Sequence, residues 1–241
     1  MNILTLNNKY NIYKIGLTGG ICSGKSTISS FLNKQNNCLV IDLDKLTHKI
    51  YDRNPFIIKT IVTKINKYLI SNNINQLLNY DYMFYNRKEI GLLCFNNKDI
   101  LNILTNEITP EIYKLESIYI SKIIENNLNL TDNNKIKYVF IEGANILNNK
   151  PNEIEINKLK YNEIWSVIAD QEIIEQRFSL RNINQTNKLY TSNTLKNIQS
   201  YQANDNYRIN NSSIVLDTNC NDVNVNLSKV LDEFNKLVTR L

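Results

Sequence analysis

The sequence predicts an α/β fold: a parallel sheet of about five strands with crossover helices, an inserted helical lobe and a small lid. Three observations predict it. Short apolar runs at residues 12–17, 38–41, 136–142, 163–169 and 213–216 have the length and composition of buried strands. Segments of helical periodicity separate them, as parallel strands joined by crossovers require. A glycine-rich turn, Gly19-Gly20-Ile21-Cys22-Ser23-Gly24-Lys25-Ser26, joins the first run to the first helix.

That turn fits G-x-x-x-x-G-K-[ST], the P-loop, in the strand-before and helix-after setting that the motif needs. Holding a triphosphate requires backbone N–H groups to converge on phosphate oxygens. Tight turning and close approach at Gly19, Gly20 and Gly24 permit this, and the helix opening near Lys25 adds unpaired N–H groups and a positive dipole end. Lys25 is expected to reach the β- and γ-phosphates. Ser26 supplies a hydroxyl of the kind that ligates Mg²⁺, and Thr27 adds another to the phosphate nest. Cys22 lies beside a helix N-terminus, where a thiol pKa can fall; a reactive thiol and a small loop filler are its two readings.

A helix over residues 25–35 runs roughly 16 Å from the loop at 1.5 Å per residue, Asn36-Asn37 turn the chain, and CLVI returns as a second strand. Asp42 and Asp44 are thereby delivered to the carboxyl edge of the sheet, where open α/β sheets bind ligands. A carboxylate there accepts a proton from an attacking hydroxyl or holds Mg²⁺ through water. The plainer reading makes Asp44 the N-cap of the next helix. His48, the single histidine, follows Asp44 by one helical turn and shares its face.

Residues 45–51 continue as a short helix stopped by Asn54-Pro55, and residues 56–70 are again helical. Residues 72–81 form a polar connection. Arg87 opens another apolar helical segment as a candidate anion contact. Asp99 is the expected cap of a helix interrupted at Thr109-Pro110 and resumed through Ile124. The strand IKYVFIE ends on a further acid, Glu142, and residues 148–162 are a polar, exposed loop. The fourth strand, EIWSVIA, carries the single Trp165 as a core residue. Asp170 then caps a helix on which Arg177 and Arg181 sit one turn apart, either as a lid over transferring phosphates or paired with Glu172 and Glu175. A polar stretch at 182–191 leads to a helix ending near Asn206; the strand SIVL and an amphipathic C-terminal helix complete the chain.

With 241 residues, one domain is expected. Its nucleotide-binding core would take about 13–52 and 136–241, its helical acceptor-binding insertion about 53–135 and its lid about 170–206. The net charge of +5 suits an anionic substrate, and the absence of a polybasic run argues against a nucleic-acid partner. Four scattered cysteines, with no C-x-x-C, give neither a zinc site nor a disulfide framework and point to a reducing interior. No apolar run suits a membrane span, a signal peptide or a transit peptide, so a cytoplasmic protein is expected. A monomer is the default, with the oligomeric state open. The whole is the pattern of a P-loop kinase of the small-substrate type.

The segments IGLTGGICSGKSTI, VIDLDKLTHKIY, YNRKEIGLLCFNN, VFIEGANIL, EIWSVIADQEIIEQRFSLRN and IQSYQ before SIVLDT resemble, in order, the dephospho-CoA kinase family, particularly its eukaryotic form. The resemblance implies transfer of the γ-phosphate of ATP to the ribose 3′-hydroxyl of dephospho-CoA, the last step of coenzyme A synthesis. It implies that residues from Gly19 to Thr27 bind ATP, with Lys25 on the phosphates and Ser26 near Mg²⁺, Asp42 reaching that ion through water. Asp44 would be the base, with Asp42, His48 and Arg87 on the acceptor, while Arg177 and Arg181 match the lid arginines, Arg177 with a catalytic role. Cys22 stands where bacterial members usually have Gly, and Thr109 where His or Trp often precedes the proline. The runner-up readings are a P-loop kinase for a nucleoside, nucleotide or hydroxy acid, and a nucleotide-binding switch without transfer activity.

Overall fold

The computed structural model describes residues 12–74, 78, 87–147, 161–183 and 192–241. Five strands, β1 (Tyr13–Gly19), β2 (Cys38–Asp42), β3 (Tyr138–Glu142), β4 (Glu163–Ile168) and β5 (Ile214–Asp217), form one all-parallel sheet in the order β2-β3-β1-β4-β5. The central three are apolar on both faces because helices cover both sides, which is why they read as continuous hydrophobic runs. The reversal of strand order beside β1 puts the end of that strand, and the loop after it, at the position where such sheets leave a crevice.

Between β1 and β2 runs α1 (Lys25–Leu32), shorter than the helix expected to residue 35. Beyond Leu32 the bonds become i→i+3 (Lys34 N to Phe31 O, 3.1 Å; Gln35 N to Leu32 O, 3.0 Å), so the end tightens into turns that aim the chain into β2. After β4 come α6 (Gln171–Ile183), α7 (Ser192–Tyr201) and α8 (Asp205–Asn211), and after β5 comes α9 (Val223–Arg240). The helix expected to run on to Asn206 is in fact two. Asn204 accepts from Tyr207 N at 2.8 Å and caps a new helix, leaving Gln202 in the break. Leu17, Phe140, Trp165 and Val167 on the sheet pack with Ile28 and Leu32 of α1 and with Val230, Phe234 and Leu237 of α9. Trp165 is a core residue, as expected; it is fully buried and its Nε1 donates to Glu163 Oε2 at 3.0 Å.

The chain divides into two compact units, Met1–Asp42 with Lys122–Leu241, and Leu43–Ser121. The second unit is helical. It contains α2 (Leu43–Arg53), α3 (Pro55–Ser71), α4 (Arg87–Asn96) and most of α5 (Lys98–Leu128). Asn54 ends α2 and caps α3, accepting from Ile57 N, with Pro55 at the first helical position where its missing N–H costs nothing. Ile58, Ile61, Val62, Ile65 and Leu69 of α3 make this unit's own core with Ile90, Cys94 and Ile100. Two local expectations fail. The cap of α5 is Asn97, whose Oδ1 accepts from Asp99 N (3.0 Å) and Ile100 N (3.2 Å), while Asp99 lies inside the first turn. Nor does Pro110 interrupt α5, since a proline removes one bond of the ladder and long flanking turns carry the helix past it. The expected loop over 148–162 and polar stretch over 182–191 fall mostly outside the described residues, as does most of the connection over 72–81.

Candidate active site

The loop after β1 has the backbone its glycines foretell. At Gly19 a Cβ would stand 2.4 Å from Val167 O and 2.6 Å from Ser23 Oγ, closer than any side chain tolerates, because the neighbouring strand presses against the loop's entry. Gly24, with φ of 95°, turns the chain into α1 in a conformation costly for other residues. Cys22 adopts φ of 59°, in the left-handed region, without being glycine. Ser23 N bonds Gly20 O at 3.3 Å and Thr27 N bonds Gly24 O at 3.1 Å, so loop and helix form one continuous turn system.

Lys25 folds back over this loop: its Nζ donates to Gly19 O at 2.9 Å and Gly20 O at 2.8 Å. Ser26 and Thr27 lie exposed in the first turn of α1. Ser26 Oγ donates to Glu142 Oε1 at 3.1 Å, and Glu142 is the register partner of Asp42 across β2 and β3. A hydroxyl and two carboxylates from adjacent strand ends are hard oxygen donors, the chemistry Mg²⁺ selects. Glu142, read from the sequence only as an edge acid, is thus brought onto the P-loop serine.

Arg177 and Arg181 share a face of α6, but their settings differ. Arg177 is half-buried; Nη1 donates to Thr218 Oγ1 (3.0 Å) and Cys22 O (3.3 Å), and Nη2 to Thr218 O (2.6 Å). Carbonyls and a hydroxyl, rather than the nearby glutamates, hold it against the loop. Arg181 is exposed, and its charge is among those that lower the pKa of the Cys22 thiol. Thr218, buried just past the end of β5, also donates to Ser23 O at 2.7 Å. It ties the last strand to the loop, and the sequence reading missed it. So were Gln202, whose Oε1 accepts from Ile21 N at 2.9 Å, and Arg208 beside Gly20. A polar residue directly after a strand was the available signal for Thr218; an asparagine-rich helical stretch hid the other two.

Burial pushes the Cys22 thiol pKa up, outweighing the lowering by Arg181, Lys25 and Arg177. Of the two readings of Cys22, this favours the small loop filler over the reactive thiol: the thiol packs in the cluster of Ile174, Phe178 and Leu195, and desolvation of a thiolate there outweighs the neighbouring cations.

In the helical unit, Asp44 stands in the first turn of α2, which begins at Leu43 directly after β2 ends at Asp42. Asp44 is thus inside the helix rather than its cap. His48 follows one turn later, and both are exposed on the side opposite the buried Leu46 and Ile50. Arg87 opens α4; its side chain lies outside what is described. Among the described residues no helix is long and apolar enough to cross a membrane.

The dephospho-CoA kinase family model matches residues 13–224. The dephospho-CoA kinase of Dehalococcoides mccartyi is 33% identical over 207 residues, covering 86% of this chain and 88% of that one. That of Lactococcus lactis is 30% identical over 178 residues, covering 70% and 75%. The solved structure of TT1252 from Thermus thermophilus shares the fold with a TM-score of 0.61 at 17% identity, over 95% of this chain and 98% of that one. A P-loop at the end of the central strand, a serine and carboxylates beside it, two arginines on the helix behind it, and a family match across nearly the whole sequence converge: the chain belongs to the dephospho-CoA kinase family.

Proposed function

We propose that this chain performs its family's reaction, the phosphorylation of dephospho-CoA that completes coenzyme A synthesis, as an in-line transfer from ATP to the ribose 3′-hydroxyl. The observation that carries the reading is the P-loop, with its Lys25 and Ser26, at the head of a sheet whose sequence matches the family over residues 13–224.

The residue roles follow from chemistry. Residues Gly19 to Thr27 bind the phosphates of ATP through backbone N–H groups, and Lys25 exchanges its two carbonyl partners for β- and γ-phosphate oxygens. Asp44 takes the proton of the 3′-hydroxyl as its oxygen attacks the γ-phosphorus; the bond to the β–γ bridging oxygen breaks and ADP leaves. His48 and Arg87 bind the acceptor, as does Asp42. Arg177, anchored to Thr218, and Arg181, exposed on the same helix face, supply positive charge to the transferring phosphoryl. Ser26, with Glu142 and a water-mediated Asp42, would hold Mg²⁺, which when bound neutralises phosphate charge.

The test is ADP release by the purified protein with Mg²⁺ and ATP, comparing dephospho-CoA with adenosine, AMP and shikimate, and weighing the product by mass spectrometry. One added phosphate on dephospho-CoA alone is expected. Transfer to a different acceptor, or ATP binding without transfer, would overturn the assignment of substrate.

A further inference from the structure

Gly20 is bracketed by residues that no loop motif contains. Gln202, in the break between α7 and α8, accepts from Ile21 N at 2.9 Å. The guanidinium of Arg208, on α8, lies beside Gly20: a Cβ there would sit 3.6 Å from Arg208 Nη1 and 4.0 Å from its Cζ. Arg208 is 2% exposed. Its Nη1 donates to Asp205 Oδ1 at 2.9 Å, while Nε and Nη2 are buried without a hydrogen-bond partner among the described residues.

This is an expensive arrangement for a residue with only a structural task. An arginine keeps its charge at all ordinary pH, and buried donors without acceptors carry a desolvation cost with no return. Its one carboxylate partner is 38% exposed, so solvent weakens the neutralising charge and the guanidinium's field toward the loop is only partly cancelled. Burial pulls the Arg208 pKa down against the opposing effect of Asp205, as expected of a cation held in a poorly compensated place.

We propose that Arg208 is a positioning residue of the phosphate site, its buried charge beside Gly20 strengthening the loop's hold on nucleotide phosphates while Gln202 fixes the amide of Ile21. It acts through the loop and makes no contact with the nucleotide. The inference rests on reading the loop as the ATP site.

The experiment measures ATP affinity by calorimetry, with no acceptor present, in the full-length wild type and in Arg208→Met, Arg208→Lys and Asp205→Asn, with unfolding temperatures recorded alongside. Arg208→Met should weaken ATP binding roughly 5- to 20-fold, the size of one charge acting across several ångströms of partly screened protein. Its KM for ATP should rise in step while kcat changes little. Arg208→Lys should recover most of the affinity. Asp205→Asn is the sharpest arm: removing the counter-charge should tighten ATP binding although it breaks an ion pair, whereas a purely structural pair predicts equal or weaker binding. Unchanged ATP affinity in folded Arg208→Met, no recovery with lysine, or unchanged or weaker binding in Asp205→Asn would each overturn the proposal. If the methionine variant does not fold, the other two decide. A wild type that binds no ATP would instead refute the reading of the loop itself, so the two failures are distinguishable.

Discussion

The nucleotide-side unit and the helical unit differ in what their functional groups are made of. Around the loop the working parts are largely backbone: amides and carbonyls of residues 19–24, fixed by Thr218, Arg177 and Gln202 reaching in from the end of the chain. In the helical unit they are side chains, Asp44 and His48 on the exposed face of α2 and Arg87 at the start of α4. A phosphate site built from backbone is damaged by adding atoms. A site built from side chains is damaged by removing a charge.

The largest expected effect tests the side-chain half. Asp44→Asn should lower turnover by roughly 10²- to 10⁴-fold, the usual contribution of a positioned base, with ATP affinity unchanged. Lys25→Met, on the other side, should lower turnover by about 10²- to 10³-fold, as for loss of one preorganised cationic donor, and weaken ATP binding as well. Steady-state kinetics paired with direct ATP titration separates the two. If Asp44→Asn weakened ATP as strongly as Lys25→Met, the division of labour between the units would fail; near-normal turnover would remove Asp44 from the chemistry.

A finer test stays within the loop. A methyl added at Gly19 meets Val167 O at 2.4 Å, and since that neighbour is the backbone of β4 rather than the end of a flexible side chain, the loop must move. The same methyl at Gly20 has nothing nearer than 3.6 Å. Gly19→Ala should therefore weaken ATP binding about tenfold or more and lower the unfolding temperature, since a misplaced phosphate cradle loses both positioning and packing. Gly20→Ala should stay within a few-fold of wild type in both. Equal effects would mean that the loop's function does not depend on its closeness to β4.

How far the sequence reading reached follows the same division. The three central strands were legible because they are buried almost throughout and burial writes itself as an apolar run, while the edge strands β2 and β5, though partly exposed, still read as short runs of β-branched and aliphatic residues. The P-loop was legible because a backbone site demands particular residues in consecutive positions. Gln202 and Arg208 were not, because their role depends on Asn204 capping a second helix, and in a chain this rich in asparagine one more polar residue carries no signal. Asn97 displaced Asp99 as a cap for a similar reason: both are good caps two residues apart, and nothing in their side chains says which will accept the amides of the first turn. Asp44, His48 and Arg87 were singled out by position, Asp44 just past a strand end, His48 one helical turn later and Arg87 at a helix start, but their roles on the acceptor came from the family resemblance, since a side-chain site spread over several helices leaves no contiguous pattern.

Cys22 gives the smallest effect, and bears on whether the loop's chemistry is confined to its backbone. Three cations lower the pKa of its thiol, yet burial against α6 and α7 prevails and raises it above its ordinary value of 9.0. The folded protein thus holds the thiol proton more tightly than the unfolded chain does. The resulting stabilisation is present below the ordinary thiol pKa and is lost as pH rises through the raised folded value. At about pH 7.5 little thiolate exists, so Cys22 should react with iodoacetamide more slowly than a free cysteine, and should speed up only as pH climbs past the ordinary thiol range. Cys38 and Cys94, pushed by burial to about 12, should remain silent throughout, which makes them internal controls in a peptide-mapping experiment. Labelling of Cys22 faster than the free amino acid near neutral pH would mean that Arg181 and Lys25 outweigh burial in solution, and would place a reactive side chain in the part of the site that otherwise works through its backbone.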